Sequence, residues 1–191
     1  VLLLAAAGTM TLGFGSCSDN NEESGNGTNT ATEEEVFLGK VLSNYVDATV
    51  NPTYKEMAIH AETLYAQLKA LRDAVEQGNA TEAQVKAACD SWKKARAAYE
   101  SSEAFLMGAA SDYNIDPHID TWPLNLSSLH ALLKGPGLAQ YTTADDADNI
   151  NNAHDNLGNS LLGFHAIEFV IFRNGQPRAV SSFNNTFDDY N

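Results

Sequence analysis

Apolar residues recur at alternating spacings of three and four along most of this chain, which is typical of helices that bury one face. We predict a first helix over residues 33–49 and a second over residues 53–77, separated at Pro52. No segment shows the alternation of a β-strand. The pattern therefore predicts an all-α protein built as an up-and-down helical bundle.

A third helix should begin at Thr81, because Thr81 and Gln84 have the spacing of a capping box. A short helix is expected over residues 126–133, stopped by a Gly-Pro-Gly segment. Thr143 should then cap a long last helix that reaches about residue 172.

Two ionisable side chains, His165 and Glu168, interrupt an apolar run near the end of that last helix. Residues three apart lie on one helix face, so the imidazole and the carboxylate should converge. Burying either alone is costly unless it is hydrogen-bonded, paired or bound to a metal. Gly163 costs about 1 kcal/mol relative to Ala in a helix, and close approach by another backbone would explain its presence.

The third helix carries a second informative face. Its members follow the same spacing: Val85, Cys89, Trp92, Arg96, Tyr99, Glu103 and Leu106. Arg96 and Glu103 should then face the core, where each needs a partner. For Arg96 we favour a structural pairing with Glu100, one turn on.

Glu103 and Glu100 facing His165 and Glu168 would form a carboxylate-rich site inside a bundle. One imidazole with several carboxylates suits iron, manganese or calcium better than the ligand sets of structural zinc. The loop over residues 108–123 offers further candidate ligands, namely Asp116, His118 and Asp120. Each of these three could equally be a turn former or a cap.

The His-Glu-x-x-His motif of zinc peptidases is absent. Counting from His165, Ala166 stands where the Glu would be and Phe169 where the second His would be. Hydrolysis is therefore the weaker interpretation of these residues.

The chain is acidic, with 25 Asp and Glu against 11 Lys and Arg and a net charge of -14. This balance argues against nucleic acid or an anionic membrane surface as a partner and mildly favours cations. Cys89 lies on the apolar face and is most simply a small core residue.

Residues 1–17 have the short apolar stretch of an export signal and end in Gly-Ser-Cys17. This end resembles a bacterial lipoprotein box of the relaxed kind common in Bacteroidetes, in which Cys17 would be lipidated. Residues 18–32 are polar and predict a flexible tether. Their acidic start resembles the stretch that directs some lipoproteins to the outer face of the outer membrane. We therefore expect an outer-membrane lipoprotein, facing the periplasm or the cell surface.

Three landmarks in order resemble the imelysin-like family. They are Trp92-x-x-x-Arg96-x-x-Tyr99-x-x-x-Glu103-Ala104-Phe105, then Asp120-Thr121-Trp122-Pro123-Leu124-Asn125, and finally the Gly-x-His-x-x-Glu motif from Gly163 to Glu168. The resemblance implies two helical bundles. Residues 33–173 would form the first, and residues 174–191 would start a truncated second half.

The resemblance also implies an exported bacterial protein linked to iron uptake, in a family first labelled as metallopeptidases. Carried over to this chain, the metal ligands are His165 and Glu168 with Glu103, Glu100 and Asp116. Outer-membrane iron-transport components would be partners. Iron is the expected metal, with zinc, copper and calcium as alternatives.

Three hypotheses follow. The first is a lipoprotein that binds a metal ion, iron foremost, without covalent chemistry. The second is a metallopeptidase in which His165 and Glu168 hold a zinc ion and an activated water. The third is a structural module in which these two side chains only hydrogen-bond Arg96 and Tyr99 across the core.

Overall fold

The computed structural model describes residues 31–142 and 146–183. It confirms the all-α prediction. The helices are α1 Glu33–Tyr45, α2 Asn51–Glu76, α3 Glu82–Glu100, α4 Ala109–Asp112, α5 Ile115–Ile119, α6 Leu126–Lys134, α7 Asp146–Asn156 and α8 Gly163–Ile171. Strands β1 Phe172–Arg173 and β2 Gln176–Pro177 pair antiparallel in one small hairpin. Cys17, tether residues 18–30 and Thr143 lie outside the described residues.

Short helical turns connect these elements. A π-helical turn occupies Val46–Val50. Within the described part of the chain, 3-10 turns cover Glu103–Phe105, Pro136–Tyr141, Asn159–Leu161 and Val180–Ser182. None of the helices in the described ranges is both long enough and apolar enough to cross a membrane.

Contacts divide the chain into residues 1–41 and residues 42–191. In the first unit, Thr32 caps helix α1. The Glu35 N–H donates to Thr32 Oγ1 over 3.2 Å, and the Thr32 N–H donates to Glu35 Oε2 over 2.7 Å. This reciprocal pairing is a capping box, and the described side chains of this unit are exposed.

In the second unit, α2 and α3 form an antiparallel hairpin. The predicted capping box at the start of α3 is confirmed, because Thr81 and Gln84 bond each other reciprocally. Two apolar clusters show the direction of packing: one contains Leu64, Ala95, Tyr99 and Phe164, and the other contains Leu71, Val85, Ala88, Cys89, Ile171 and Phe172. The middle of α2 thus meets the end of α3, and the last part of α2 meets the first part of α3. Helix α8 completes both clusters.

The segment after α8 folds back onto that helix. Arg178 is 3% exposed, and its guanidinium donates to the carbonyls of Val170 and Phe169, each over 3.0 Å. The Val180 N–H donates to Glu82 Oε1 over 3.0 Å. The bonds from Arg178 satisfy carbonyls at the end of α8, which have no partner within the helix.

Three predicted boundaries are wrong. Pro52 does not interrupt the helical path, because it lies in the first turn of α2, where its missing N–H is not needed. Helix α3 ends at Glu100 and does not continue to Leu106. The long last helix is two helices, α7 and α8, with a break at residues 157–162.

Candidate metal centre

Gly163 begins α8 and brings it against the end of α5. Its φ of +76° lies in the left-handed region that favours glycine. A Cβ atom at this position would lie 2.2 Å from the carbonyl oxygen of Ile119. The expected close approach by another backbone is therefore confirmed, although it occurs at a helix start and not inside a helix. As a consequence Asp120, the residue after α5, lies beside His165.

His165 lies between two carboxylates. Its Nε2 is 3.3 Å from Asp120 Oδ1, and its Nδ1 is 3.4 Å from Glu168 Oε2. The side chains of His165 and Asp120 are 19% and 11% exposed, whereas that of Glu168 is 47% exposed. The Trp122 ring packs against the imidazole with 4.7 Å between ring centroids. The convergence of His165 and Glu168 on one face is thus confirmed.

Arg96 joins this group from α3. Its Nε donates to Glu100 Oε1 over 2.6 Å, and its Nη1 donates to Asp120 Oδ1. The expected Arg96–Glu100 pair is therefore confirmed, and Asp120 is an additional partner. Burial alone would lower the pKa of Arg96, but the bonds to Asp120 and Glu100 outweigh burial and raise it. The guanidinium also lies over the Tyr99 ring, 5.2 Å from its centroid.

Tyr99 connects the group to Asp116. The Tyr99 hydroxyl donates to Asp116 Oδ1. Burial raises the pKa of Tyr99, and the charge and acceptor oxygen of Asp116 raise it further, so the phenol stays protonated. A cavity of about 290 Å³ adjoins this pair, with Met57 and Ile119 among its apolar lining residues.

Glu103 lies at the exposed rim, in the 3-10 turn after α3. Its predicted inward orientation is wrong. Helix α3 ends three residues before Glu103, so the helical spacing that would turn Glu103 toward the core does not continue that far. Partial desolvation raises the pKa of Glu103, and the charge of Glu100 raises it further. Repulsion between neighbouring carboxylates is relieved when a cation binds among them.

The five predicted ligands are thus distributed over one connected polar network. His165 and Glu168 are in direct contact, Glu100 is held by Arg96, Asp116 is held by Tyr99, and Glu103 is at the rim. Across residues 31–142 and 146–183, no group of three or more His, Cys, Asp and Glu side chains is arranged to hold a metal ion. Metal binding by these residues therefore remains a prediction.

Asp120 is the residue that sequence reasoning undervalued. It contacts both His165 and Arg96, yet the sequence offered it only as one of three loop candidates. The signal was its position at the head of the Asp-Thr-Trp-Pro-Leu-Asn landmark, which also contains Trp122. Another of those candidates, His118, bonds Asn159 and is not part of the His165 contacts.

The geometry between His165 and Asp120 suits a cation. When Nδ1 carries the imidazole proton and donates it to Glu168, Nε2 has no proton and lies 3.3 Å from Asp120 Oδ1. Two electron-rich acceptor atoms at this distance repel each other unless a proton or a metal ion binds to both. Neighbouring ligands at metal bond lengths of about 2.1 Å lie about 3 Å apart, close to the observed 3.3 Å. The donor set therefore fits a bound metal ion, provided that Arg96 releases Asp120.

The fold and this cluster define an all-helical bundle protein with a histidine and several acidic side chains at one site. Residues 50–190 match the family model for imelysin. The chain belongs to the imelysin family.

Relatives of known structure have the same fold. An imelysin peptidase from Bacteroides ovatus is 33% identical, with a TM-score of 0.61 over 76% of this chain and 39% of that one. A structure assigned to an iron-regulated protein A precursor from Parabacteroides distasonis is 28% identical, with a TM-score of 0.62 over 85% of this chain and 42% of that one.

Iron-regulated protein A from Synechococcus elongatus is 27% identical over 144 residues, which are 75% of this chain and 34% of that protein. The chain thus spans between 34% and 42% of the length of these three relatives.

Proposed function

We propose that this protein binds a metal ion, with iron as the expected cargo, and acts in iron uptake as an exported lipoprotein. The observation that carries the proposal is the 3.3 Å approach of His165 Nε2 to Asp120 Oδ1. In this proposal these two atoms bind the ion directly, while Glu168 orients the imidazole through Nδ1.

Arg96 sets the condition for binding. A cation cannot share Asp120 Oδ1 with the guanidinium without strong repulsion. Arg96 keeps a second partner, Glu100, at 2.6 Å. Turning toward Glu100 alone would free Asp120 while the guanidinium remains paired.

The choice of iron follows from the donor atoms and from the relatives. One imidazole nitrogen with carboxylate oxygens suits hard and borderline cations. Two of the three relatives are named as iron-regulated proteins. The net charge of -14 adds an attractive field for cations.

The anchor and the partners are part of the same proposal. Lipidation at Cys17 would attach the protein to the outer membrane, where it would pass iron to or from transport components. Metabolic labelling with a palmitate analogue should mark the protein, and Cys17→Ser should abolish the label. A label that persists in Cys17→Ser would contradict lipidation at this residue.

Calorimetric titration with ferrous, ferric, copper and zinc ions tests the site. His165→Ala and Asp120→Asn should each weaken iron binding about tenfold or more. Glu168→Ala should weaken it about tenfold to a hundredfold, because outer ligands orient inner ones. His60→Ala is the matched control, since among the described residues His60 pairs with one carboxylate, Glu56, at 3.6 Å. Unchanged iron affinity in both His165→Ala and Asp120→Asn would refute the proposed site.

A further inference from the structure

A pair of imidazoles lies outside this site and has no role in the proposed function. His118 belongs to the last turn of α5, and His154 belongs to the last turn of α7. Their ring centroids are 4.4 Å apart, and the ring planes are inclined by 56°. His118 is half-buried and His154 is exposed, so one edge of the pair is open to solvent.

The Nδ1 atoms of both rings are already engaged. His118 Nδ1 is 3.2 Å from Asn159 Oδ1, and His154 Nδ1 is 3.0 Å from Asp155 Oδ1. Amide and carboxylate oxygens only accept hydrogen bonds, so each Nδ1 of a neutral ring carries the proton. Each Nε2 then retains its lone pair, and neither Nε2 has a hydrogen-bond partner among the described residues.

Histidines that bind metals usually have a hydrogen bond of this kind at the other ring nitrogen. A ligating imidazole usually donates its other ring N–H to a carboxylate or an amide-type oxygen, which sets the tautomer and raises the basicity of the free nitrogen. Here both rings carry such a partner, and the two rings come from different helices. Imidazoles whose ring centroids are 4.4 Å apart can present both Nε2 atoms to one ion.

We propose that His118 and His154 form a binding site for a divalent first-row transition-metal ion, with Cu²⁺ bound most tightly. Imidazole nitrogen favours copper, nickel and zinc, and copper is highest in the general affinity order. Because no third His, Cys, Asp or Glu among residues 31–142 and 146–183 completes a ligand group, water fills the remaining positions. This site is independent of the one at His165.

Copper titration of the protein in a His165→Ala background separates the two sites. His118→Ala and His154→Ala should each weaken Cu²⁺ binding about tenfold or more, and by similar factors, because either change leaves a single imidazole. The electron paramagnetic resonance spectrum of the bound Cu²⁺ should show coupling to two imidazole nitrogens, and to one in either variant. His60→Ala should change neither quantity.

Asp155→Ala tests the orienting bond without removing a ligand. It should weaken Cu²⁺ binding about tenfold or more while both nitrogen couplings persist. His154 is 66% exposed, so His154→Ala should keep the native circular dichroism spectrum and thermal midpoint. Copper affinity that is unchanged by His154→Ala, or reduced equally by His60→Ala, would overturn the proposal.

Discussion

Replacement of Gly163 by alanine tests how the candidate metal centre is assembled. The new methyl group carries two penalties. The left-handed conformation at φ +76° costs a non-glycine residue about 1–2 kcal/mol. The Cβ atom would also lie 2.2 Å from Ile119 O and 2.5 Å from its carbonyl carbon, and overpacking of this kind costs about 1–3 kcal/mol. We expect Gly163→Ala to lower the free energy of unfolding by about 2–5 kcal/mol.

Two other glycines separate these penalties. Gly175 has a φ of +74°, and a methyl group added there would meet nothing within 4 Å, so Gly175→Ala should cost only the conformational part, about 1–2 kcal/mol. Gly158 has a φ of -67° and open space. Gly158→Ala should therefore be neutral, or stabilising by up to about 1 kcal/mol through the unfolded state.

Urea denaturation of the three variants provides the measurement, with the midpoint and slope fitted separately. Since the clash involves backbone atoms, α5 must shift, and Asp120 moves with it away from His165. Gly163→Ala should therefore also weaken iron binding, whereas Gly175→Ala should not. The reasoning fails if Gly163→Ala is no more destabilising than Gly175→Ala.

Three further predictions concern the bundle around the site. Arg72 holds the pKa of Asp146 down to about 2. The stability that this ion pair contributes should therefore be lost as pH falls from the ordinary aspartate pKa of 3.8 toward 2. Asp146→Asn should make the thermal midpoint less dependent on pH across that window. Trp92→Phe removes the 2.9 Å bond from Nε1 to the Phe164 carbonyl and should cost about 1 kcal/mol in urea denaturation. Burial raises the pKa of the Cys89 thiol to about 11, so peptide-resolved alkylation at neutral pH should mark it only after denaturation.

Each of these has a contradicting outcome. If the thermal midpoint of Asp146→Asn falls across the same pH window as steeply as that of the unaltered protein, the ion pair contributes nothing to the pH dependence. Equal stability of Trp92→Phe would mean that another donor reaches the Phe164 carbonyl. Rapid alkylation of Cys89 in the native protein would show that the helix interface opens readily.

Local chemistry explains what could be predicted from the sequence. The capping box at Thr81 and the pairing of Arg96 with Glu100 depend on residues a few positions apart, so their spacing predicts the contact. The contact between His165 and Glu168 follows the same rule. Gly163 indicated a close backbone approach because glycine within a predicted helix is less favourable than alanine unless a larger side chain would clash with a neighbour.

Tertiary packing explains what was missed. The apolar spacing stays in phase across residues 157–162, so the break between α7 and α8 leaves no trace in the pattern. Asp120 faces His165 only because α5 packs against the start of α8, and Arg96 reaches Asp120 from a third element. Such contacts join residues far apart in the chain, which periodicity cannot relate.

Anomalous diffraction at the iron absorption edge, from crystals of the iron-loaded protein, tests the central claim most directly. The proposed function predicts an iron peak about 2.0–2.2 Å from both His165 Nε2 and an oxygen of Asp120, with Arg96 bonded to Glu100 alone. An iron-loaded crystal in which Arg96 still bonds Asp120, and in which no iron peak lies beside His165, would contradict it.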